Sequence, residues 1–348
     1  MFIKKVLSSI PREIKPLVCI KIFTTYSFAV LYSSLVLYMT KDSNISSHNA
    51  AGVMGVFLSL NFILHFFGGY VGGKFISNRS LLTFGMLMEL LGILLLQSLF
   101  FVGLGVFLTG SGLYATSINA IMLQRFEPND DRRELASFWI YSAMNLGFFL
   151  GHTVSGYFHN ENNYNALFKS SILTSIIALL LILSNWTLFA DKTTELTFIN
   201  NKAKTLRTIV SLSMVPFFLT IVILSLVFYP ESGRLVMLFG VFIFCVMFIV
   251  ALKQPTQVDK NKVFAFLILV ASAIVFWSLF FIGPMGLTLF IKDYVDLNIF
   301  GITIPPQWFN NINTSIIVFG GPFLAVFFQS KRDKGKDSRQ LSLCRCRF

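Results

Sequence analysis

Charge is scarce in this 348-residue chain: Asp, Glu, Lys and Arg make up 13% of it, about half the share found in a soluble domain. That excludes an ordinary water-soluble fold. Cysteine is scarce as well, with four residues. Cys19 and Cys245 fall in apolar stretches, where a small buried thiol is expected. Cys344 and Cys346 form a C-x-C with no His or further Cys beside it, a poor zinc site, so neither metal nor other cofactor is expected. Residues 1–15 carry Lys4, Lys5, Arg12 and Lys15 around Pro11 and lack the apolar core of a cleavable signal, so the first hydrophobic run stays in the protein. No nucleophile motif occurs, nor the two acidic clusters facing one aqueous pocket that a membrane prenyltransferase needs, so an enzyme is not expected.

What the chain has in abundance is apolar length. Hydrophobic residues reach 55%, with 40 Phe. A helix crosses a bilayer with roughly 20 apolar residues, and ten stretches qualify: 16–40, 50–73, 81–102, 104–124, 136–158, 167–190, 208–229, 233–252, 262–291 and 312–329. With the N-terminus inside, all but five of the 28 basic residues fall on the inner side; Lys41, Lys169, Arg234 and Lys292 lie outside and Lys21 within the first span. This is the positive-inside pattern, and it puts both termini in the cytoplasm. The net charge of +12 is therefore topological, with attraction to anionic lipid, and not a sign of nucleic-acid binding.

The organisation expected is a cytoplasmic N-terminus (1–15), a six-helix bundle (16–190), a polar cytoplasmic linker (191–207), a transmembrane hairpin (208–252) turning at Tyr229-Pro230-Glu231-Ser232-Gly233, a two-helix block (253–330) and a basic tail (331–348). Six spans, a linker and a hairpin suggest a transporter built from six-helix halves.

Function must then be read from polar groups placed where lipid or packing disfavours them. Lys21 and Glu89 lie inside spans, at a cost on the order of 3 kcal/mol each unless paired or wetted. They are candidates for a cavity or an ion pair, although Lys21 could equally snorkel to the inner interface. Asn145 sits at mid-span, where its amide needs a partner; bonding to a neighbouring helix is the favoured reading over a ligand. His65 and His152 read as packed and hydrogen-bonded. The run Gly68-Gly69-Tyr70-Val71-Gly72-Gly73-Lys74 reads as a close-packing face ended by a basic anchor, and Gly110-Ser111-Gly112 and Gly147 are further close-approach positions. Asp130-Asp131-Arg132-Arg133-Glu134 reads as a solvated loop with carboxylates capping span 5. Gly283-Pro284 predicts a kink. Trp277 fits a pocket, or equally a core or lipid-facing aromatic, and Asn313 a ligand contact or only an N-cap.

Three segments, GGYVGGKF, GSGLYATSINAIMLQRFEPNDDRREL and FWIYSAMNLGFFLG, follow one another as in the bacterial proton-coupled oligopeptide transporters of the major facilitator superfamily. VFWSLFFIGPMGLTLFIKDYVD and IPPQWFNNINTSIIVFGGPFLAVFF resemble that family's seventh and eighth helices. The resemblance covers about residues 15–336. It implies an all-α, major facilitator-like bundle with no cofactor, importing di- and tripeptides with protons by alternating access across the bacterial inner membrane. It also implies substrate contacts at Asn145, Asn313, Trp277 and Phe62.

The departures from the pattern are chemical. The first-helix acidic residue, Glu-Arg pair and tyrosines fall on Lys21, Thr24, Thr25, Phe28 and Ala29. The fourth-helix lysine falls on Ala115, the seventh-helix acidic positions on Phe281 and Ile282, and the loop aspartate on Gly73. The polar ending SRQLSLCRCRF reads either as out of frame or as a short basic end, so the expectation is a divergent, C-terminally truncated member of impaired coupling. The alternative is a non-transporting membrane remnant or partner subunit.

Overall fold

The computed structural model of the chain describes residues 11–41, 45–127, 130, 132–299, 301–318 and 320. Six long helices come first: α1 (Ile14–Lys41), α2 (Ser47–Val71), α3 (Asn78–Leu95), α4 (Phe100–Leu123), α5 (Arg132–Asn160) and α6 (Tyr164–Ser184). A one-turn helix α7 (Glu195–Phe198) leads into α8 (Asn201–Ser213), α9 (Val215–Val227), α10 (Tyr229–Leu252) and α11 (Gln257–Ile282). A π-helical turn (Gly283–Leu287), α12 (Thr288–Tyr294), a two-stranded ribbon of β1 (Asn298–Ile299) and β2 (Ile302–Thr303), and a 3-10 turn (Pro306–Phe309) follow. Residues 310–318 are again helical.

Side-chain caps set several helix starts. Ser46, Ser77, Asn163, Asn200 and Thr256 each accept from the backbone N–H three residues on, supplying a first-turn donor with its acceptor. Eight helical segments among the described residues are long and apolar enough to cross a membrane, α8–α9 and α11–α12 each counting as one. The 29-residue α5 is too polar to count by composition and is held by packing along α1 instead. The tenth expected span, 312–329, lies mostly outside the described residues, as does the tail with Cys344 and Cys346.

Boundaries differ from the sequence expectation in three places. The third span ends at Leu95, not 102, because the chain turns at 96–99, where Gln97 and Ser98 interrupt the apolar run. The hairpin does not turn through Pro230. Pro230 lies in the first turn of α10, where its missing N–H costs nothing, and the turn is confined to Phe228. The stretch from 201 is helical, so the linker's last residues join the next span. At Gly283-Pro284 the expected kink takes the form of the π-helical turn, in which Thr288 Oγ1 donates to the Gly283 carbonyl at 2.8 Å.

Inside the six-helix bundle α3 packs along α4, α1 along α5 and α6, and α2 along α4. Two apolar cores result. One gathers Leu35, Phe57, Phe107 and Leu167, and the other Leu17, Leu82, Met86, Ile118 and Ile182. Along every helix that enters both cores, polar residues separate the two. On α1 these are Thr24 and Thr25, with Ser27 one residue into the first core; on α3 Glu89; on α4 Ser111; on α5 Asn145; on α6 Ser175; all are buried. The bundle thus carries a polar layer between two greasy ones.

Candidate functional site

Glycine lets the layer form. A Cβ on Gly110 would lie 2.5 Å from the Glu89 backbone nitrogen, and one on Gly112 2.3 Å from the Leu64 Cβ. One on Gly68 would meet the Leu113 carbonyl at 2.5 Å, and one on Gly147 the Ile22 carbonyl at 2.7 Å. These four positions admit no side chain without moving backbone or a packed residue, as their spacing predicts. Gly69 is different: its Cβ would make ordinary contact with Thr116. Lys74 places its ammonium 4.8 Å from the Tyr70 ring centroid, and the loop it belongs to is clasped by the linker, with Arg207 donating to the Lys74 carbonyl at 3.1 Å.

Glu89 is fully buried at the α3–α4 contact. Tyr114 Oη donates to its Oε2 at 2.5 Å, while Oε1 has no hydrogen-bond partner of normal geometry. The hydroxyls of Ser27 and Ser175, 3.2 Å apart, lie beside the carboxylate. Lys21 is part-buried on α1 and interacts electrostatically with Glu89, although the two make no ion pair within 4.0 Å. Its other charged or titratable neighbour is His65 of α2. Lys21 therefore does not simply snorkel; it stands between a bundle carboxylate and an α2 imidazole.

His65 packs edge-on to Phe62, with ring centroids 5.8 Å apart. Phe62 meets Phe281 at 5.7 Å, and Phe281 stacks on Trp277 at 5.5 Å and 21°. This aromatic row runs from α2 to α11 and leaves Phe62 and Trp277 about half exposed. Asn145 is buried, but its Nδ2 donates to the Tyr141 carbonyl of its own helix at 2.9 Å. The expected bond to a neighbouring helix is not made among the described residues; the amide caps its own turn. Asn313 is exposed in the first turn of the helical run 310–318, inside the helix and so not an N-cap. Its neighbour Asn311 takes the cross-bundle role, donating to Thr153 Oγ1 at 2.8 Å, and Trp308 Nε1 donates to the Thr153 carbonyl at 3.0 Å.

Sequence reasoning missed Asn311, Trp308, Tyr114 and Ser175. Tyr and Ser within apolar runs look unremarkable singly; the signal was that such interruptions recur at matching depth in α1, α3, α4 and α6. His152 is packed as expected, stacked on Tyr32 at 6.1 Å, but neither ring nitrogen has a hydrogen bond of normal geometry. Cys19 and Cys245 are exposed on outer helix faces and not buried, since an apolar span need not turn every small residue inward. Asp130 does cap the start of α5, accepting from the Arg132 backbone N–H at 2.9 Å, and no metal-ligand cluster occurs among the described residues.

The sequence profile of the POT family, the proton-coupled oligopeptide transporters, matches residues 19–343. The chain belongs to the POT family. Peptide transporter YePEPT of Yersinia enterocolitica is 22% identical over 90% of this chain and 66% of its own length. Dipeptide and tripeptide permease B of Shigella dysenteriae is 24% identical over 94% of this chain and 68% of its own. The chain thus spans about two thirds of the length of these curated relatives. Among solved structures, a bacterial homologue of the human drug peptide transporters superposes with a TM-score of 0.79 at 19% identity, covering 90% of this chain and 70% of that one. A mutant peptide transporter POT in complex with alafosfalin gives 0.78 at 20% identity, covering 94% and 72%. These likenesses show the major facilitator fold of the POT transporters, as the sequence resemblance implied.

Within this POT chain the positions that depart from the pattern are, Lys21 apart, filled apolarly or by hydroxyls. Thr24 returns its hydroxyl to the Lys21 carbonyl at 3.2 Å. Phe28 lies within 6.3 Å, centroid to centroid, of Tyr32, Phe57, Phe107 and Phe148. Ala29 sits where a Cβ on Gly151 would lie 2.6 Å away. Among the described residues, the aromatic row of His65, Phe62, Phe281 and Trp277 adjoins Lys21 through His65, and Lys21 faces Glu89.

Proposed function

We propose that the chain is a secondary active transporter of the bacterial inner membrane, with both termini cytoplasmic, that carries di- or tripeptides with protons by alternating access. The observation that carries this reading is the family match over residues 19–343, together with relatives named for dipeptide and tripeptide transport. The central groups are compatible with such a cargo. Aromatic faces at Phe62 and Trp277 suit apolar side chains, the amides of Asn145 and Asn313 suit a peptide backbone, and Lys21 is the cation available to a carboxylate terminus. Gradient-driven accumulation of a labelled dipeptide by proteoliposomes of the purified chain is the expected result. Asn145→Ala should abolish it; unchanged uptake would leave Asn145 only its helix-capping contact. A folded, monodisperse chain that neither accumulates nor exchanges dipeptide would favour the partner-subunit alternative.

A further inference from the structure

Glu89 is the only acidic residue among those described that lies more than one turn from a helix end. It sits in the polar layer, fully buried between two apolar cores, with one carboxylate oxygen held by Tyr114 and the other, which has no hydrogen bond of normal geometry, beside the Ser27 and Ser175 hydroxyls. An acceptor so buried, with hydroxyls beside it but no well-formed bond, is placed to take up a proton and donate it onward. The nearest cation, Lys21, is in electrostatic reach yet outside contact, so the couple is neither a closed ion pair nor two independent groups. The positions at which the family places its first-helix and fourth-helix charges are meanwhile Thr24, Thr25 and Ala115.

We propose that Glu89 is the proton-carrying group of this chain and that Lys21 links its protonation to the binding of an anionic cargo. The inference rests on the transport reading given above. A proton from the aqueous side adds to Oε1, converting the carboxylate to the acid. The new O–H donates to the adjacent Ser27 or Ser175 hydroxyl, and Tyr114 continues to donate to Oε2. The couple's net charge rises from zero to one positive, leaving Lys21 without its counter-charge and able to hold the carboxylate of a peptide. Loss of the proton restores the internal counter-charge and weakens that hold, so proton and peptide bind and leave together. The titratable or charged groups facing the couple are Lys21 on α1, His65 on α2 and Tyr114 on α4; α6 contributes Ser175. His65 adjoins Lys21 and has no carboxylate to balance it, which leaves Glu89 as the group whose charge can offset the lysine.

The test uses the purified full chain in lipid nanodiscs and its acid-minus-alkaline infrared difference spectrum. A carboxylic-acid C=O band should appear in the wild type and be missing in Glu89→Gln. In Tyr114→Phe the same band should move to higher frequency, because the carbonyl loses a hydrogen-bond donor, and Lys21→Met should displace its pH midpoint. A spectrum unaltered by Glu89→Gln, or a band unmoved by Tyr114→Phe should the first variant not fold, would overturn the proposal. In proteoliposomes, Glu89→Gln should still exchange labelled for unlabelled dipeptide while its accumulation under an imposed proton gradient falls to the level without one. Full gradient response in that variant would also overturn it. If the wild type neither exchanges nor accumulates dipeptide, the transport reading fails, and the infrared arm alone decides whether Glu89 carries a proton.

Discussion

The α10–α12 segment is more apolar than any of the first four helices, yet far less of it is buried. In α4, 72% of the spanning window is buried, and in α11–α12 only 6%. Greater apolarity does not bring burial, because lipid solvates Leu and Phe as well as a neighbouring helix does. The difference follows from small and polar residues. In the bundle, Gly68, Gly110, Gly112 and Gly147 bring backbones together, and Ser27, Glu89, Tyr114 and Ser175 interact across the contacts so made. In α10 and the π-helical turn, Gly240 and Gly286 have nothing within 4 Å of an added Cβ. The hydroxyl of Ser272 on α11 turns back to its own Ile268 carbonyl. Association in the bilayer is thus written in the exceptions to apolarity.

The sharpest way to break the comparison is to fill a glycine on each side of it. Gly110→Leu must displace the Glu89 backbone as well as the Met88 side chain, and should cost more than about 3 kcal/mol, or prevent folding. Gly240→Leu should fall within about 0.5 kcal/mol. Thermal unfolding of detergent-purified protein, followed by size-exclusion chromatography, reads both. Equal losses would mean that α10 has a packing partner at that face.

Next in size is the hydrogen bond to Glu89. Tyr114→Phe keeps the ring and removes the donor, leaving a buried carboxylate with neither oxygen well satisfied, at about 1–3 kcal/mol. Ser272→Ala, which removes a hydroxyl that bonds only within its own exposed turn, should cost about 0–0.5 kcal/mol. The same thermal measurement tests the pair; a Tyr114→Phe protein as stable as the wild type would show that the contact is not part of the fold's support.

These contrasts also explain what the sequence disclosed. The helices were legible because each run exceeds bilayer length. The turn at 96–99 was not, because its only mark in the sequence is the polar pair Gln97-Ser98, with no proline or glycine beside it. Lys21 and Glu89 stood out because charge inside a span is costly. Their companions did not, since Tyr114 and Ser175 lie far along the chain and each is ordinary in its own helix. Asn145 pointed to the right depth but to the wrong bond, because periodicity does not say whether an amide reaches outward or back to its own turn.

At the end of the bundle where α1 begins, Glu13 joins three elements. It lies 3.9 Å from Arg125 at the end of α4 and 3.3 Å from Lys192 after α6. Burial alone would raise its pKa, but its own backbone N–H, Lys192 and Arg125 outweigh that and hold it below the usual carboxylate range. A carboxylate lowered in the folded state contributes stability above its unfolded pKa and loses it as pH falls through the folded value. Wild-type stability should therefore fall as the pH drops below the ordinary carboxylate value of 4.5, and Glu13→Gln should flatten that limb while being less stable at neutral pH. Parallel acid limbs in the two proteins would remove Glu13 from the account.

The smallest effect is expected at the matching ion pair of the other region. Lys262 Nζ lies 3.2 Å from Asp259 Oδ1, closer than Arg125 is to Glu13 and similar to Lys192, yet both residues belong to the first turns of α11 and both are exposed. Thr256 and Lys262 lower Asp259, so on charge alone the two carboxylates look alike. They differ in what they join. Water screens an exposed pair, and a pair three residues apart on one helix restrains only that helix, which stays folded in lipid regardless. Lys262→Ala should accordingly leave the thermal midpoint unchanged within error at neutral pH, whereas Arg125→Ala should lower it by removing a tie between α4 and the residues before α1. An equal drop in both would mean that the start of α11 is docked as firmly as the bundle, and the contrast between the two regions would then lie in their glycines alone.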